Sequence, residues 1–496
     1  MSRSKKIYAL LGVLLVLCLA VFGVSRYEER KEQIKNSDEI ILEVADDQVS
    51  SLSWEYEGEN GKETLAFHKD NGWIYDEDEA FPVDEEKMAA LLEQFEQFGV
   101  SFIIENVEDF GQYGLDDPIC TIELGTEDKT YEILLGDYST MDSQRYVSIG
   151  DGNVYLVKHD PFEDFEITIR DMILHDKIPE FSDADEIQFE GAENYSVTYE
   201  EESKNTYNAK DVYFTLLDGS TLPLDTVNVN SYLQTVQGLG LTDYVSYNVS
   251  EEELAKYGLD DPELAVTVQY TAEDTDDGSK DSEDGGQSGT FTLYVSRDAE
   301  TKKTDAVLTD DGEEKPENAD DEENAETEDS EAEEEVPAYV RIGESKIIYQ
   351  IPESSYKALM DASYNTLRHQ EILPADLNDI TQFDITLEGM DYTITSETED
   401  EETTWYYQEK EVETADLESA VSLLLADGFT DEEPSQKQEV ALTVHLNNEN
   451  FPEVRIEFYR YDGERCLAVV DGKPLAFVAR SSVVDLMEAV NGIVLN

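Results

Sequence analysis

The sequence predicts an α+β protein: an N-terminal transmembrane helix, then two to three repeated units of mainly antiparallel strands with one packed helix each. Three observations carry this. An uncharged run fills Ile7–Val24, one hexapeptide occurs twice, and the hydrophobic period switches from helical to two-residue after each predicted helix.

The N-terminal segment comes first. Residues 1–6 form a predicted cytoplasmic tip, because Arg3, Lys5 and Lys6 precede the apolar run. As a helix, residues 7–24 would be ~27 Å long, close to the ~30 Å hydrocarbon core of a bilayer. The run is longer than a signal-peptide core of ~7–15 residues. Its best cleavage candidate, Val21-Phe-Gly23, is poor, and Leu17 rather than a small residue precedes Cys18. An uncleaved anchor is therefore expected. Residues 25–39 are charged and read as a stalk. No second spanning run follows, so the chain is expected to be a single-pass cell-membrane protein with its bulk extracytoplasmic.

Charge sets the class of partner. There are 117 Asp and Glu against 34 Lys and Arg, a formal net charge of −83. Such a surface repels polyanions, which excludes a nucleic-acid partner. Cys18, Cys120 and Cys466 form neither a disulfide framework nor a metal-type cluster, so Cys120 and Cys466 read as small buried hydrophobes.

Repetition organises the rest. Tyr113, Gly114, Leu115, Asp116, Asp117 and Pro118 recur as Tyr257, Gly258, Leu259, Asp260, Asp261 and Pro262. Upstream, Asp84 and Asp225 are predicted helix N-caps. Met88, Leu91, Leu92 and Phe95 then share one helical face, as do Val229, Tyr232, Leu233 and Val236. A third helix is predicted near Glu413, with Leu417, Ala420, Val421 and Leu424 in the same offsets. Downstream, Cys120, Ile122 and Leu124 alternate with polar positions, as half-buried strands do. Hairpins follow, the last turning at Asp471-Gly472, and a short helix such as Ser482–Val490 closes each unit. Aligned in this way, the units span 40–175, 178–370 and 374–496, the third being degenerate. An acidic insert, about 272–335, interrupts the second unit and is expected to be disordered apart from the strand Phe291–Val295.

The sequence offers no cofactor-binding, metal-binding or catalytic residue. Asp274-Thr-Asp276-Asp277-Gly278 lacks the spacing of a calcium loop. The five histidines have no local zinc spacing. His175 and His369 fall at matching unit ends and read as boundary residues. Ser354-Ser-Tyr-Lys357 matches the Ser-x-x-Lys acylation motif, but no Lys-Thr-Gly strand accompanies it. The hexapeptide itself reads as structural: the glycine allows positive φ, the leucine plugs a core, and the proline opens a strand.

With its preceding helix and its Arg145-Tyr-Val hairpin, the hexapeptide resembles the bacterial domain-of-unknown-function family 4340. The resemblance covers nearly all of the chain after residue 40 and weakens in the third unit, which lacks Tyr-Gly-Leu. It implies one N-terminal membrane helix and repeated units, and transfers no catalytic residue. Some members resemble auxiliary components encoded beside gliding-type ABC transporters, which implies a transporter partner by association. The expected function is a non-enzymatic membrane-anchored adaptor or scaffold of an envelope complex. The alternatives are an extracytoplasmic ligand- or calcium-binding module and, last, an envelope hydrolase using Ser354 and Lys357.

Overall fold

The computed structural model describes residues 33–58, 61–181, 183–217, 219–271, 288–302, 336–399 and 402–495. The anchor at residues 7–24, the tip, the calcium-like loop and the acidic block after residue 302 lie outside them. Among the described residues no helix is long and apolar enough to cross a membrane.

The chain forms two compact units, residues 1–175 and 176–496. The first contains one sheet. Across it run Trp73–Tyr75, Gly61–Lys69, Val49–Gly58, Cys120–Thr126, Thr130–Ser139, Gln144–Ser148, Val154–Val157 and Phe98–Glu105. All pairings are antiparallel. Of the predicted stalk, residues 25–32 lie outside the described residues, and the part from Gln33 on is not a free linker. Gln33–Asn36 pairs with Phe102–Glu105, and Ile40–Leu42 pairs with Phe98 and Gly99. An edge strand leaves a row of backbone donors and acceptors open, and these segments fill it despite a charged sequence that reads as linker.

The second unit contains two sheets. One runs Ser220–Pro223, Tyr213–Leu217, Tyr195–Tyr199, Asp183–Gly191, Leu264–Thr271, Ser288–Arg297, Ala338–Ile342, Ile348–Ile351 and Tyr244–Ser246. The other runs Lys410–Val412, Glu402–Tyr407, Met390–Glu399, Ile380–Leu387, Gln438–Leu446, Glu453–Arg460, Arg465–Val470, Lys473–Ala479 and Ala426–Phe429. The three sheets share one plan. A hairpin ladder leads into a helix, the strand after the helix goes to the far side, and the remaining strands fill the gap; in the first sheet Gln33–Asn36 and Ile40–Leu42 pair outside that strand. The third sheet keeps this plan although it has lost the hexapeptide.

The helices explain the burial. Asp84 accepts from Glu86 N and Lys87 N and caps Glu85–Glu96, which buries Met88, Leu91, Leu92 and Phe95. Asp225 accepts from Val227 N and caps Thr226–Gln237, which buries Val229, Tyr232, Leu233 and Val236. The third helix, Ala415–Ser422, starts after Thr414 and buries Leu417, Ala420 and Val421, with Leu424 buried just past its end. Each fully buried aliphatic or aromatic side chain stabilises by about 1.5–3 kcal/mol. In the first unit Trp54 stacks on Phe67 at 5.5 Å and meets Phe165 edge-on at 5.3 Å. The closing helix is longer than its sequence limits suggested: it spans Arg480–Val494 and buries Val483, Leu486 and Val490. The turn at Asp471-Gly472 has φ of 48° and 76°, as a type I′ hairpin requires.

Candidate functional site

The hexapeptide is spent on packing. In the first unit Phe110–Tyr113 is a 3-10 turn that ends on Gly114 at φ 71°, whose N–H bonds back to Gly111 O. Leu115 and Val154 join Ile104 in a small apolar cluster edged by Tyr113 and Tyr146, and these two rings lie 4.9 Å apart. The second copy repeats this geometry. Gly258 has φ 70°, Leu259 packs with Tyr257 and Ile348, and the Tyr257 ring meets Tyr339 at 5.0 Å. A side chain at either glycine would strike backbone. A Cβ at Gly114 would lie 2.8 Å from Asp137 N, and one at Gly258 would lie 2.2 Å from Arg297 O. Asp116, Asp117, Asp260 and Asp261 are exposed, while Pro118 and Pro262 precede Cys120–Thr126 and Leu264–Thr271.

Cys120 and Cys466 are free and buried, and burial pushes each thiol up to about 12. Ser354 and Lys357 lie on the exposed face of Glu353–Met360, where Lys357 pairs with Glu353 at 2.6 Å.

Charged groups converge instead inside the second unit, where the chain passes from its first sheet to its second. Here His369 Nε2 lies 3.1 Å from Asp211 Oδ1, an electrostatic contact rather than an aligned hydrogen bond. Its Nδ1 faces Asp225 Oδ2 at 3.9 Å and Glu371 Oε2 at 3.7 Å. The Asp211 side chain is 3% exposed, and its other oxygen accepts from Thr206 Oγ1 at 2.6 Å. Burial disfavours charge on the imidazole, but Asp211, Asp225 and Glu371 outweigh it and hold the ring above the ordinary value of 6.5. Ligand-type atoms of Asp225, His369 and Glu371 lie within 4.8 Å of one another. Glu371 stands half-exposed at the rim and no closed cage forms, so the group reads as a charge network. By contrast, His68, His159 and His445 pair with Asp76, Asp164 and Asp384 at exposed or partly exposed positions.

The same loop, residues 206–211, also makes contacts between the two sheets. Tyr207 packs on the second sheet's core, its ring 4.8 Å from Phe451 and its hydroxyl 3.2 Å from Asp471. Lys210 pairs with Asp376 at 3.2 Å, and Asn448 Nδ2 donates to Thr206 O at 3.2 Å.

A family profile described as Domain of unknown function (DUF4340) matches residues 73–245 and 215–315. Residues 73–315 of the chain belong to this family. No curated protein matches it. The two DUF4340 matches begin at corresponding strands, Trp73–Tyr75 and Tyr213–Leu217, each just ahead of a capped helix. The match ends before the third sheet, whose kinship with the first two therefore rests on its strand order. The Tyr-Gly-Leu string is thus a packing device in both matched copies.

The junction was not legible as a site, because Asp211, Asp225 and His369 come from distant stretches of sequence. One alignment also needs correction. Asp84 N bonds Met172 O and Asp225 N bonds Leu367 O, so the position of His369 corresponds to Leu174 rather than to His175. A helical boundary one residue out shifts every residue that follows it.

Proposed function

We propose that this DUF4340 protein is a non-enzymatic, membrane-anchored extracytoplasmic adaptor or scaffold of a cell-envelope complex, with ABC-transporter subunits as the first partners to test. The observation that carries the reading is where the repeated hexapeptide goes. Tyr113 and Leu115, like Tyr257 and Leu259, are used up in the protein's own packing, and the modules built on them repeat one sheet plan. Repeated modules present similar faces at several places, which suits contact with a partner better than chemistry at one centre. The apolar run Ile7–Val24 supplies the tether, and the acidic surface favours basic or cation-screened partners.

The test is a crosslinking pull-down of the full-length protein from its native membrane, with an anchor-deleted form as control. Reproducible recovery of transporter subunits that depends on residues 40–496 is expected. Failure to recover any reproducible envelope protein would remove the adaptor reading.

A further inference from the structure

We propose that His369 is a proton-operated clasp: its imidazolium, set among Asp211, Asp225 and Glu371, holds the connecting segment to the first sheet of its unit, and deprotonation releases that segment. The segment is placed to act in this way. On one side Asp225 N donates to Leu367 O at 3.0 Å and Asn228 Nδ2 donates to Arg368 O at 3.4 Å. On the other side Ile372 N donates to Leu424 O at 2.9 Å, and Ala426 N donates to Gln370 O at 2.8 Å. His369 therefore sits where the chain leaves one sheet and begins to pair with the next.

The charged groups around the ring are of one sign. Asp211 comes from the loop before Tyr213–Leu217, Asp225 from the N-terminus of Thr226–Gln237, and Glu371 from the connecting segment itself. The neighbouring cations are engaged elsewhere. Arg368 lies over the rings of Phe429 at 4.0 Å and Tyr364 at 4.8 Å, and Lys210 pairs with Asp376. A neutral ring would leave a carboxylate that is 3% exposed without its facing charge. Removing one partner of a buried pair is strongly destabilising.

The sign follows from linkage. The closed junction binds the proton more tightly than a free imidazole, whose ordinary value is 6.5. Its contribution is complete below that value and is lost as pH rises through the elevated one. Between the two, the opening equilibrium climbs by up to about tenfold per pH unit, and it is flat on either side.

Hydrogen exchange on the full-length protein in detergent, with a chelator present, tests this from about pH 5.5 to about pH 9. The readout is protection of the Asp225 amide, which donates to Leu367 O of the connecting segment, corrected for intrinsic exchange. The amide of Asp84 is the internal reference, since Leu174 holds the matching place in the first unit. Wild type should lose protection at this amide, relative to Asp84, by up to about tenfold per pH unit within the window. His369→Gln should show no such slope and should already be open at low pH. A flat wild-type profile, an equal slope in His369→Gln, or a slope seen only without chelator would each overturn the clasp. Should His369→Gln not fold, Glu371→Gln keeps the ring and removes one rim carboxylate. It should move release to lower pH, and an unchanged release pH would count against the clasp equally.

Discussion

Gly258 lies where the first turn of the repeat motif presses on the neighbouring strand, with left-handed φ and Arg297 O where a Cβ would go. Alanine there suffers twice. The left-handed backbone costs about 1–2 kcal/mol in an L-residue, and the clash with backbone adds to it because nothing flexible can yield. Gly258→Ala should therefore lower the unfolding free energy read from urea titration by roughly 2 kcal/mol or more. In the same hexapeptide Asp260→Ala and Asp261→Ala remove exposed side chains and should stay within about 0.5 kcal/mol. The reverse ranking would mean that the acids, not the packing, explain the repeat. The motif's role was readable in advance because each of its residues has a local physical reason. The His369 network was not, because no rule of spacing links residue 211 to residue 369. Only the sheet order brings them together.

At the scale of elements, capping and periodicity carried most of the information. Asp84 closes the first helix, and the next residue, Glu85, accepts from Trp73 N at 2.8 Å, tying helix start to edge strand. Asp84→Ala should cost about 1 kcal/mol. It should also speed exchange at the Trp73 amide, because fraying of the first turn loosens Glu85. Urea titration and exchange at that amide check the two halves separately, and a stability loss with Trp73 still protected would break the proposed link. The helical faces were legible because amphipathic period is a property of neighbours in sequence. The edge pairing of Gln33–Asn36 was not, since a backbone ladder can be filled by almost any residues, and these looked like a charged stalk. The third sheet shows the same division. Its helix face kept the pattern, while its plan became visible only when Ala426–Phe429 was seen paired at the far edge with Lys473–Ala479.

Across the whole molecule the governing quantity is a formal charge of −83 on 496 residues. Like charges at this density favour expansion, so the folded state works against its own field. Salt should therefore stabilise it. The Debye length falls from ~10 Å at 0.1 M to ~3 Å at 1 M, which removes repulsion between surface carboxylates while leaving buried pairs such as Arg145–Asp160 at 2.6 Å nearly untouched. The urea midpoint should rise steadily from about 0.02 M to about 0.5 M NaCl, and KCl at equal ionic strength should give the same curve. A midpoint that ignores NaCl but jumps with a small amount of calcium would point the other way. It would mean that specific cations, not general screening, neutralise the acidic surface, and the cation-binding alternative would then displace the adaptor as the function to pursue.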